Sequence, residues 1–229
     1  MNALTKDNHA TAVPLPLVAG ERLDQPTFHT RYAAMPAGLK AELIGGVVYM
    51  PSPVRSEHGD LDQDLATWLG TYRRDLPFVR GGGNTTTILG DDSEPQPDQH
   101  LRIQESKGGL SRIVDGWVTG APELIVEVGA SSRSYDLGPK KGDYERAGVR
   151  EYVFVGPDDG RVRWFLLREG RYVEHGPGTD GVFRSEVFPG LWLNAEALYA
   201  GDLDGLLRTL EEGLATADHA AFKARLAGL

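Results

Sequence analysis

APELIVEVGASSRSYDLGPKKGDYERAGVREYVFV, residues 121–155, is the stretch that decides the fold. An apolar run, Leu124 to Val126, is followed directly by Glu127, and a second apolar run lies within residues 151–155. Nearly continuous β-branched runs of this kind are typical of strands buried on both faces. A polar turn and a helical segment starting near Asp136 separate the two runs and supply the crossover of a βαβ unit. The stretch therefore predicts an α/β protein.

Glu127 lies inside an apolar run, where an unpaired carboxylate is costly to bury. Two residues could balance its charge or share a cation with it: Lys140, at the start of the predicted helix, and Asp98, in EPQPDQHLRI (residues 94–103). Asp98 and Glu127 each lie in a strand-like segment, so adjacent strands would bring both within reach of one ion. Lys140 can point back over the end of the strand. Together, these three residues predict a metal-dependent active site.

Further helices and strands are predicted around this unit. A helix starts near Gln25 with Thr27 as its candidate N-cap, and a tight hairpin turns at Gly45-Gly46. The other predicted elements are a helix from about Glu57 to Arg74 with His58 in its first turn, strands near residues 78–80, 85–89, 99–103, 161–167 and 171–175, and a helix from Asp202 onwards. The last helix carries an apolar stripe, Leu203, Leu206, Leu207, Leu210 and Leu214, which suits either packing on its own domain or a homodimer interface.

Composition excludes several classes of protein. The 229 residues suit one domain, residues 21–229, after a mobile N-terminal tail, residues 1–20. The absence of cysteine excludes disulfides, thiolate catalysis and Cys-zinc sites, and fits a cytoplasmic protein. No apolar run is long enough for a membrane span, and the N-terminus lacks a signal-peptide pattern. A net charge of −9 argues against a protein that coats nucleic acid, although a local basic patch or bound metal ions would still permit an enzyme that acts on it.

The ordered series of motifs resembles the PD-(D/E)xK nuclease superfamily and, more closely, the Uma-two-type endonucleases. The residues that carry the resemblance are AELIGGVVYMPSPV (41–54) with His58, EPQPDQHLRI (94–103), APELIVEVGASSRSYDLGPK (121–140) with Tyr144, and AGVREYVF (147–154), and the later SEVFPGLWL (185–193) and C-terminal helix are also similar. The resemblance implies a restriction-endonuclease-like α/β fold, with a central mixed sheet flanked by helices and an extra C-terminal β-hairpin and helix.

The resemblance also implies an activity and a set of site residues. Asp98 and Glu127 would be metal ligands, with the backbone carbonyl of Val128 as a third, for Mg²⁺ or Mn²⁺. Glu42 would enter the site and assist through a second cation or a bridging water, and His58 would be an accessory residue. The superfamily motif expects a lysine two residues after the glutamate, where this chain has Gly129.

Lys140 replaces that lysine by resemblance, with Lys141 as the competing choice, and would position the hydrolytic water. The expected activity is therefore that of a divalent-metal-dependent endonuclease that hydrolyses phosphodiester bonds, with DNA as the nucleic-acid partner. Two other functions stay open. One is a catalytically silent binding or regulatory module, and the other is a hydrolase of another phosphoester, such as RNA or a nucleotide.

Each candidate residue also has a structural explanation. Asp98 could be a turn residue after a proline, Asp136 an N-cap, and His58 a cap or packing residue. Glu127 could pair with Arg133 or Arg150 instead of a metal ion. Lys140 and Glu42 could each lie on the solvated surface.

Overall fold

A computed structural model describes residues 14–50, 55–129 and 132–228 of the chain. The α-helices are α1 (Gln25–Ala33), α2 (Ser56–Tyr72), α3 (Arg133–Tyr135), α4 (Lys141–Ala147), α5 (Ala195–Tyr199), α6 (Leu203–Leu214) and α7 (Ala217–Gly228), with a π-helical turn at Asp136–Lys140. The strands are β1 (Glu42–Ile44), β2 (Val47–Tyr49), β3 (Val79–Gly83), β4 (Thr87–Ile88), β5 (Gln99–Ile103), β6 (Arg112–Val114), β7 (Trp117–Thr119), β8 (Leu124–Val128), β9 (Glu151–Gly156), β10 (Arg161–Arg168), β11 (Arg171–His175), β12 (Val182–Arg184) and β13 (Trp192–Asn194).

A six-stranded sheet in the order β11-β10-β9-β8-β5-β3 forms the centre of the molecule. Strands β8 and β9 run parallel, as the predicted βαβ unit requires. The four remaining neighbouring pairs in this sheet are antiparallel. The predicted central mixed sheet is therefore confirmed. Its two innermost strands come from the stretch at residues 121–155.

Successive residues of β8 point to opposite faces of the sheet. Val126 and Val128 pack on the face covered by α2 and α6. Ile125 packs on the other face together with Tyr144 of α4. Glu127 lies two residues after Ile125 and contacts the same tyrosine. The alternation of the strand therefore directs the Glu127 carboxylate toward the crossover helices.

The structure differs from the sequence prediction in the starts of two helices. Asp24, and not Thr27, caps α1: its Oδ1 accepts a hydrogen bond from the Thr27 backbone N–H at 2.9 Å. The crossover begins with α3 at Arg133, so Asp136 is not an N-cap. It lies inside the π-helical turn, and its side chain is buried.

The triple glycine at residues 81–83 lies within β3, whereas the sequence prediction placed it between two strands. Side chains of the neighbouring β5 explain the glycines. A Cβ at Gly82 would approach the His100 ring to 2.6 Å, and a Cβ at Gly83 would approach the Gln99 side-chain amide to 2.9 Å. A glycine inside a strand often marks such a close approach.

Residues at both ends of the described chain pack on the domain. Residues 1–13 of the predicted mobile tail lie outside the described residues; of the remainder, Leu17 is buried and the Gly20 N–H donates to the Val48 carbonyl. In the C-terminal stripe, Leu206 and Leu210 are buried in the main core. The stripe therefore packs on its own domain, with Leu203, Leu207 and Leu214 partly buried against the same core.

The predicted C-terminal elements are present, with one addition. The hairpin predicted near residues 161–175 is formed by β10 and β11, which extend the central sheet. The predicted helix from Asp202 onwards is α6, with Asp202 as its N-cap, and a separate α7 follows it. Within the described ranges, no helix is long and apolar enough to cross a membrane.

Candidate active site at the end of strand β8

Asp98 and Glu127 meet where β5 begins and β8 ends. The two strands are antiparallel neighbours, with Gln99 paired to Val126, so Asp98 lies across from Glu127. The Val128 N–H donates to Asp98 Oδ2 at 2.8 Å, and the Asp98 N–H approaches Glu127 Oε2 at 3.4 Å. The structure thus places two carboxylates and the Val128 backbone together at adjoining strand ends, as the sequence predicted.

Lys140 reaches both glutamates of the predicted site. Its Nζ lies 2.8 Å from Glu127 Oε1 and 2.9 Å from Glu42 Oε1, and its side chain is only 4% exposed. Lys141 points elsewhere, with its Nζ 4.2 Å from the centre of the Phe165 ring. Lys140 is therefore the lysine that enters the carboxylate cluster, and it is not a solvated surface residue.

The π-helical turn is the local feature that directs Lys140 inward. This turn contains Gly138, whose φ of −109° and ψ of −107° are not helical, and Pro139, which has no backbone N–H to donate. The chain is therefore kinked between α3 and α4, directly before Lys140. The regular helix resumes at Lys141.

Glu42 enters the site from strand β1 of the predicted hairpin. Two backbone hydrogen bonds join Leu43 to Glu94, at 2.7 and 3.2 Å, and so hold β1 against the segment that leads to Asp98. The Gln96 N–H then donates to Glu42 Oε1 at 2.6 Å. Glu42 is 7% exposed, so it belongs to the buried cluster and not to the surface.

Tyr144 and Asp136 complete the cluster, and sequence reasoning assigned neither a role in it. The Tyr144 hydroxyl donates to Glu127 Oε1 at 2.6 Å, and its ring is fully buried. Burial raises the pKa of Asp136 to about 6. A signal was present, because Asp136, Lys140 and Tyr144 follow one another at intervals of four, the spacing that places side chains on one helix face.

Four carboxyl groups, those of Glu42, Asp98, Glu127 and Asp136, surround the single buried ammonium of Lys140. Burial raises the pKa of Glu127, and the nearby Lys140 ammonium lowers it. The other three carboxylates raise the pKa of Glu127 again, so that it lies well above its usual value. For Lys140, burial lowers the pKa, yet the same carboxylates hold it well above the usual range. The lysine is therefore charged, and the cluster still carries an excess of buried carboxylate.

His58 lies on the other side of Asp98, in the first turns of α2. Its Nε2 is 3.6 Å from Asp98 Oδ1, an ion-pair distance that is too long for a hydrogen bond. The neighbouring Asp98 raises the pKa of His58, against the effect of burial. Burial raises the pKa of Asp98, but His58, the Val128 N–H and Lys140 together lower it below its usual value. His58 thus contacts a predicted metal ligand, as an accessory residue would.

Gly129 explains why the lysine cannot occupy its usual motif position. A Cβ at Gly129 would lie 2.7 Å from Ser132 Oγ and 2.8 Å from the Phe154 ring, and it would collide with the carboxylate of Asp136. Any side chain at this position would therefore have to displace the crossover helices or a buried ring. The ammonium reaches the cluster from Lys140 instead.

The alternative partners proposed for Glu127 lie elsewhere. Arg133 forms an ion pair with Asp159 at 2.7 Å. Arg150 precedes β9, at the end of the sheet opposite to Glu127. The Glu127 carboxylate is contacted instead by Lys140, Tyr144 and the Asp98 N–H.

The donor set fits a small divalent cation. In the described part of the chain, no three acidic or histidine side chains converge closely enough to hold a metal ion by themselves. Mg²⁺ does not need such a cage, because it usually binds one or two carboxylates and keeps several waters. Asp98 and Glu127, beside the Val128 backbone, would supply those carboxylates, and a bound cation would favour their ionised form.

Comparison with known proteins identifies the family. Residues 26–196 match the model of the Uma2 family, which is described as "Putative restriction endonuclease". The chain belongs to the Uma2 family. The matched range contains every predicted site residue from Glu42 to Lys140. No curated protein matches the chain.

A solved structure confirms the fold of this Uma2 protein. It is similar to the crystal structure of a nuclease described as putative, of the DUF820 group, from Anabaena variabilis ATCC 29413, with a TM-score of 0.58. The match covers 75% of this chain and 96% of that chain at 15% sequence identity. Family membership and a nuclease-like fold together support a nuclease.

Proposed function

We propose that this protein is a Mg²⁺- or Mn²⁺-dependent endonuclease that hydrolyses phosphodiester bonds of DNA. The observation that carries the proposal is the contact of Lys140 with Glu42 and Glu127, directly beside Asp98 and the Val128 backbone. In this proposal Asp98, Glu127 and the Val128 carbonyl hold the cation. When bound, the ion would polarise the scissile phosphate and activate a water.

Lys140 would orient the attacking water. An ammonium group has three protons, and the contacts to Glu42 and Glu127 use two of them. The third can donate to a water oxygen or to a non-bridging phosphate oxygen. The positive charge, held in a site from which water is largely excluded, would also offset the charge that develops on the phosphate.

Glu42 and Tyr144 would keep this geometry fixed. Glu42 accepts from the Gln96 N–H and from Lys140, so it restrains the ammonium from the side opposite to Glu127. It could also assist through a second cation or a bridging water. Tyr144 donates to Glu127 Oε1 and limits the rotation of that carboxylate. His58 would restrain the other oxygen of Asp98 through their ion pair.

A cleavage assay tests the proposal. Supercoiled double-stranded DNA, single-stranded DNA and single-stranded RNA are each incubated with the protein in Mg²⁺, Mn²⁺ or EDTA. We expect DNA cleavage that EDTA abolishes and that falls by about 100-fold or more in Asp98→Asn and Lys140→Gln. Lys141→Gln is the matched control and should cleave DNA at the wild-type rate.

The other outcomes distinguish the alternative functions. Cleavage of RNA alone would make the protein a hydrolase of another phosphoester with the same site. Equal loss of cleavage in Lys140→Gln and Lys141→Gln would contradict the role given to Lys140. The absence of cleavage on all three substrates, in protein that is shown to be folded, would favour the silent binding module.

A further inference from the structure

A cavity lies at the opposite end of the central sheet from Glu127. Its volume is about 630 Å³, and its lining includes Lys107, Arg150, Arg168 and Arg225. Arg150 immediately precedes β9, which runs parallel to β8, and Leu166 of β10 pairs with Glu151 at the start of β9. The cavity therefore opens where β8 and β9 begin, whereas the carboxylate cluster lies where β8 ends. We call this site the basic cavity.

Four basic side chains converge on the basic cavity from separate parts of the chain. Lys107 ends a 3-10 turn after β5, Arg150 precedes β9, Arg168 ends β10, and Arg225 lies in α7. Convergence of this kind is notable in a chain whose net charge is −9. An ordinary solvated surface would place these cations on different sides of the molecule.

Two carboxylates lie at the basic cavity, and each has a partner within the fold. Glu151 is buried and accepts hydrogen bonds from Ser185 Oγ at 2.7 Å and from the N–H groups of Glu186 and Val187 at 2.8 and 3.0 Å. These donors satisfy its carboxylate from within the fold. The Glu186 side chain pairs with Arg168 at the rim.

Two guanidinium groups stand out as available for an external anion. Among the residues that the structure describes, neither Arg150 nor Arg225 forms an ion pair with a carboxylate. Arg150 is exposed, and Arg225 lies with its guanidinium carbon 5.2 Å from the centre of the Phe222 ring. A guanidinium held against an aromatic ring is restrained, which reduces the entropy lost when it binds a ligand.

We propose that the basic cavity binds a phosphate-bearing anion of roughly nucleoside-diphosphate size. Arginine matches phosphate oxygens with paired hydrogen bonds, and several arginines around one concave site favour a multiply charged ligand. The volume lies within the range of small-ligand sites, which is about 300–1,000 Å³. The phosphate groups come either from a free nucleotide or from the backbone of a nucleic-acid strand. The basic cavity shares no residue with the carboxylate cluster, so this proposal does not depend on nuclease activity.

Calorimetric titration of the full chain tests the proposal. The ligands are inorganic pyrophosphate, ADP and a short single-stranded oligodeoxynucleotide, each in EDTA and about 0.15 M salt, so that divalent ions at the other site make no contribution. We expect Arg150→Ala combined with Arg225→Ala to weaken binding by about tenfold or more. The matched control, Arg112→Ala combined with Arg208→Ala, removes the same charge from exposed positions elsewhere and should change affinity by less than about twofold.

A third variant tests the same site in the opposite direction. Glu186→Gln removes the carboxylate that pairs with Arg168 and should strengthen binding by about two- to fivefold. Binding of the oligonucleotide alone would identify a nucleic-acid backbone as the ligand, and binding of ADP or pyrophosphate would identify a free phosphate compound. The proposal is overturned if the wild type binds none of the three, or if the two double variants weaken binding equally.

Discussion

At the scale of single residues, the site depends on one ammonium group shared between two buried glutamates. Lys140 lies within 2.9 Å of both Glu42 and Glu127 and is almost fully buried. Burying a charge is costly, and the cost is repaid only when its partners are held in good geometry. The Tyr144 hydroxyl and the Gln96 N–H supply that geometry by fixing the two carboxylates. The cluster is thus preorganised around Lys140.

Replacement of Lys140 by methionine should destabilise the protein strongly. The change keeps the length of the side chain but leaves Glu42 and Glu127 buried without their cation, and we expect a loss of roughly 3–5 kcal/mol in the free energy of unfolding. Lys141→Met is the matched control. It removes the contacts of the ammonium with the Phe165 and Tyr172 rings and should cost at most about 1 kcal/mol. Urea unfolding of the two variants measures the difference, and equal losses would contradict the assignment of Lys140 to the cluster.

At the scale of secondary-structure elements, the crossover between β8 and β9 determines which side chains reach the site. The crossover consists of α3, a π-helical turn and α4, and only the π-helical turn brings both Asp136 and Lys140 inward. Asp143 of α4 accepts a hydrogen bond from the Gly45 N–H at 2.7 Å, which ties the crossover to the hairpin that carries Glu42. This contact fixes the hairpin that carries Glu42 relative to the crossover that carries Lys140.

Gly129→Ala should disturb this element specifically. The added methyl group would meet Ser132, the buried Phe154 ring and the Asp136 carboxylate, so the crossover must shift, at a cost of roughly 1–3 kcal/mol of stability. Gly142→Ala in α4 is the control. Its nearest neighbour would be Arg146 Nη1 at 3.8 Å, and alanine in a helix interior should stabilise by up to about 1 kcal/mol. If Gly129→Ala were as stable as wild type, Gly129 would not explain the displaced lysine.

The elements that were predicted correctly are those with a clear local sequence pattern. The apolar runs of β8 and β9 and the Gly45-Gly46 hairpin follow from local patterns of hydrophobicity and turn residues. The predicted start of the crossover helix was wrong because Asp136 resembles an N-cap in sequence. In the structure, Asp136 is buried in the carboxylate cluster. Tertiary contacts, and not local preference, decide that position.

The candidate site could be predicted in part for the same reason. Asp98 immediately precedes β5 and Glu127 lies near the end of β8, and these two strands are antiparallel neighbours, so the proximity of the two residues is a consequence of the sheet. Lys140 was preferred over Lys141 because Tyr144 and Ala147 continue its helical face toward the sheet, and Lys140 is the lysine whose Nζ contacts Glu127. The bond from Tyr144 to Glu127 was missed, because a tyrosine on the apolar face of a helix usually indicates core packing.

At the scale of the whole molecule, the charged side chains differ between the two ends of the central strands. The end at which β8 finishes carries the carboxyl groups around Lys140, whereas the end at which β8 and β9 begin carries three arginines and a lysine beside the buried Glu123 and Glu151. The overall charge of −9 hides this separation. A polyanionic nucleic acid would be repelled by the acidic end unless cations were bound there, so metal binding is the condition on which the proposed nuclease depends.

The pKa shifts predict that metal binding depends on pH. The pKa of Glu127 is raised well above its usual value, and that of Asp136 is raised to about 6, so both groups tend to hold protons in the metal-free protein. A divalent cation favours the ionised form and must displace those protons. We therefore expect Mn²⁺ affinity to rise as the pH increases from about 5 to 8, with proton release on binding.

Calorimetric titration of Mn²⁺ in two buffers of different ionisation enthalpy measures both the affinity and the protons released. For the wild type we expect saturable binding with proton release, and for Glu127→Gln we expect the binding to be lost. Glu123→Gln is the matched control, since Glu123 is an equally buried glutamate just before the start of β8, where it accepts from the Ile103 and Leu110 N–H groups. It should bind Mn²⁺ as the wild type does. If the folded wild type binds no Mn²⁺ at any pH in this range, or if Glu127→Gln binds it equally well, the metal site at Asp98 and Glu127 is contradicted.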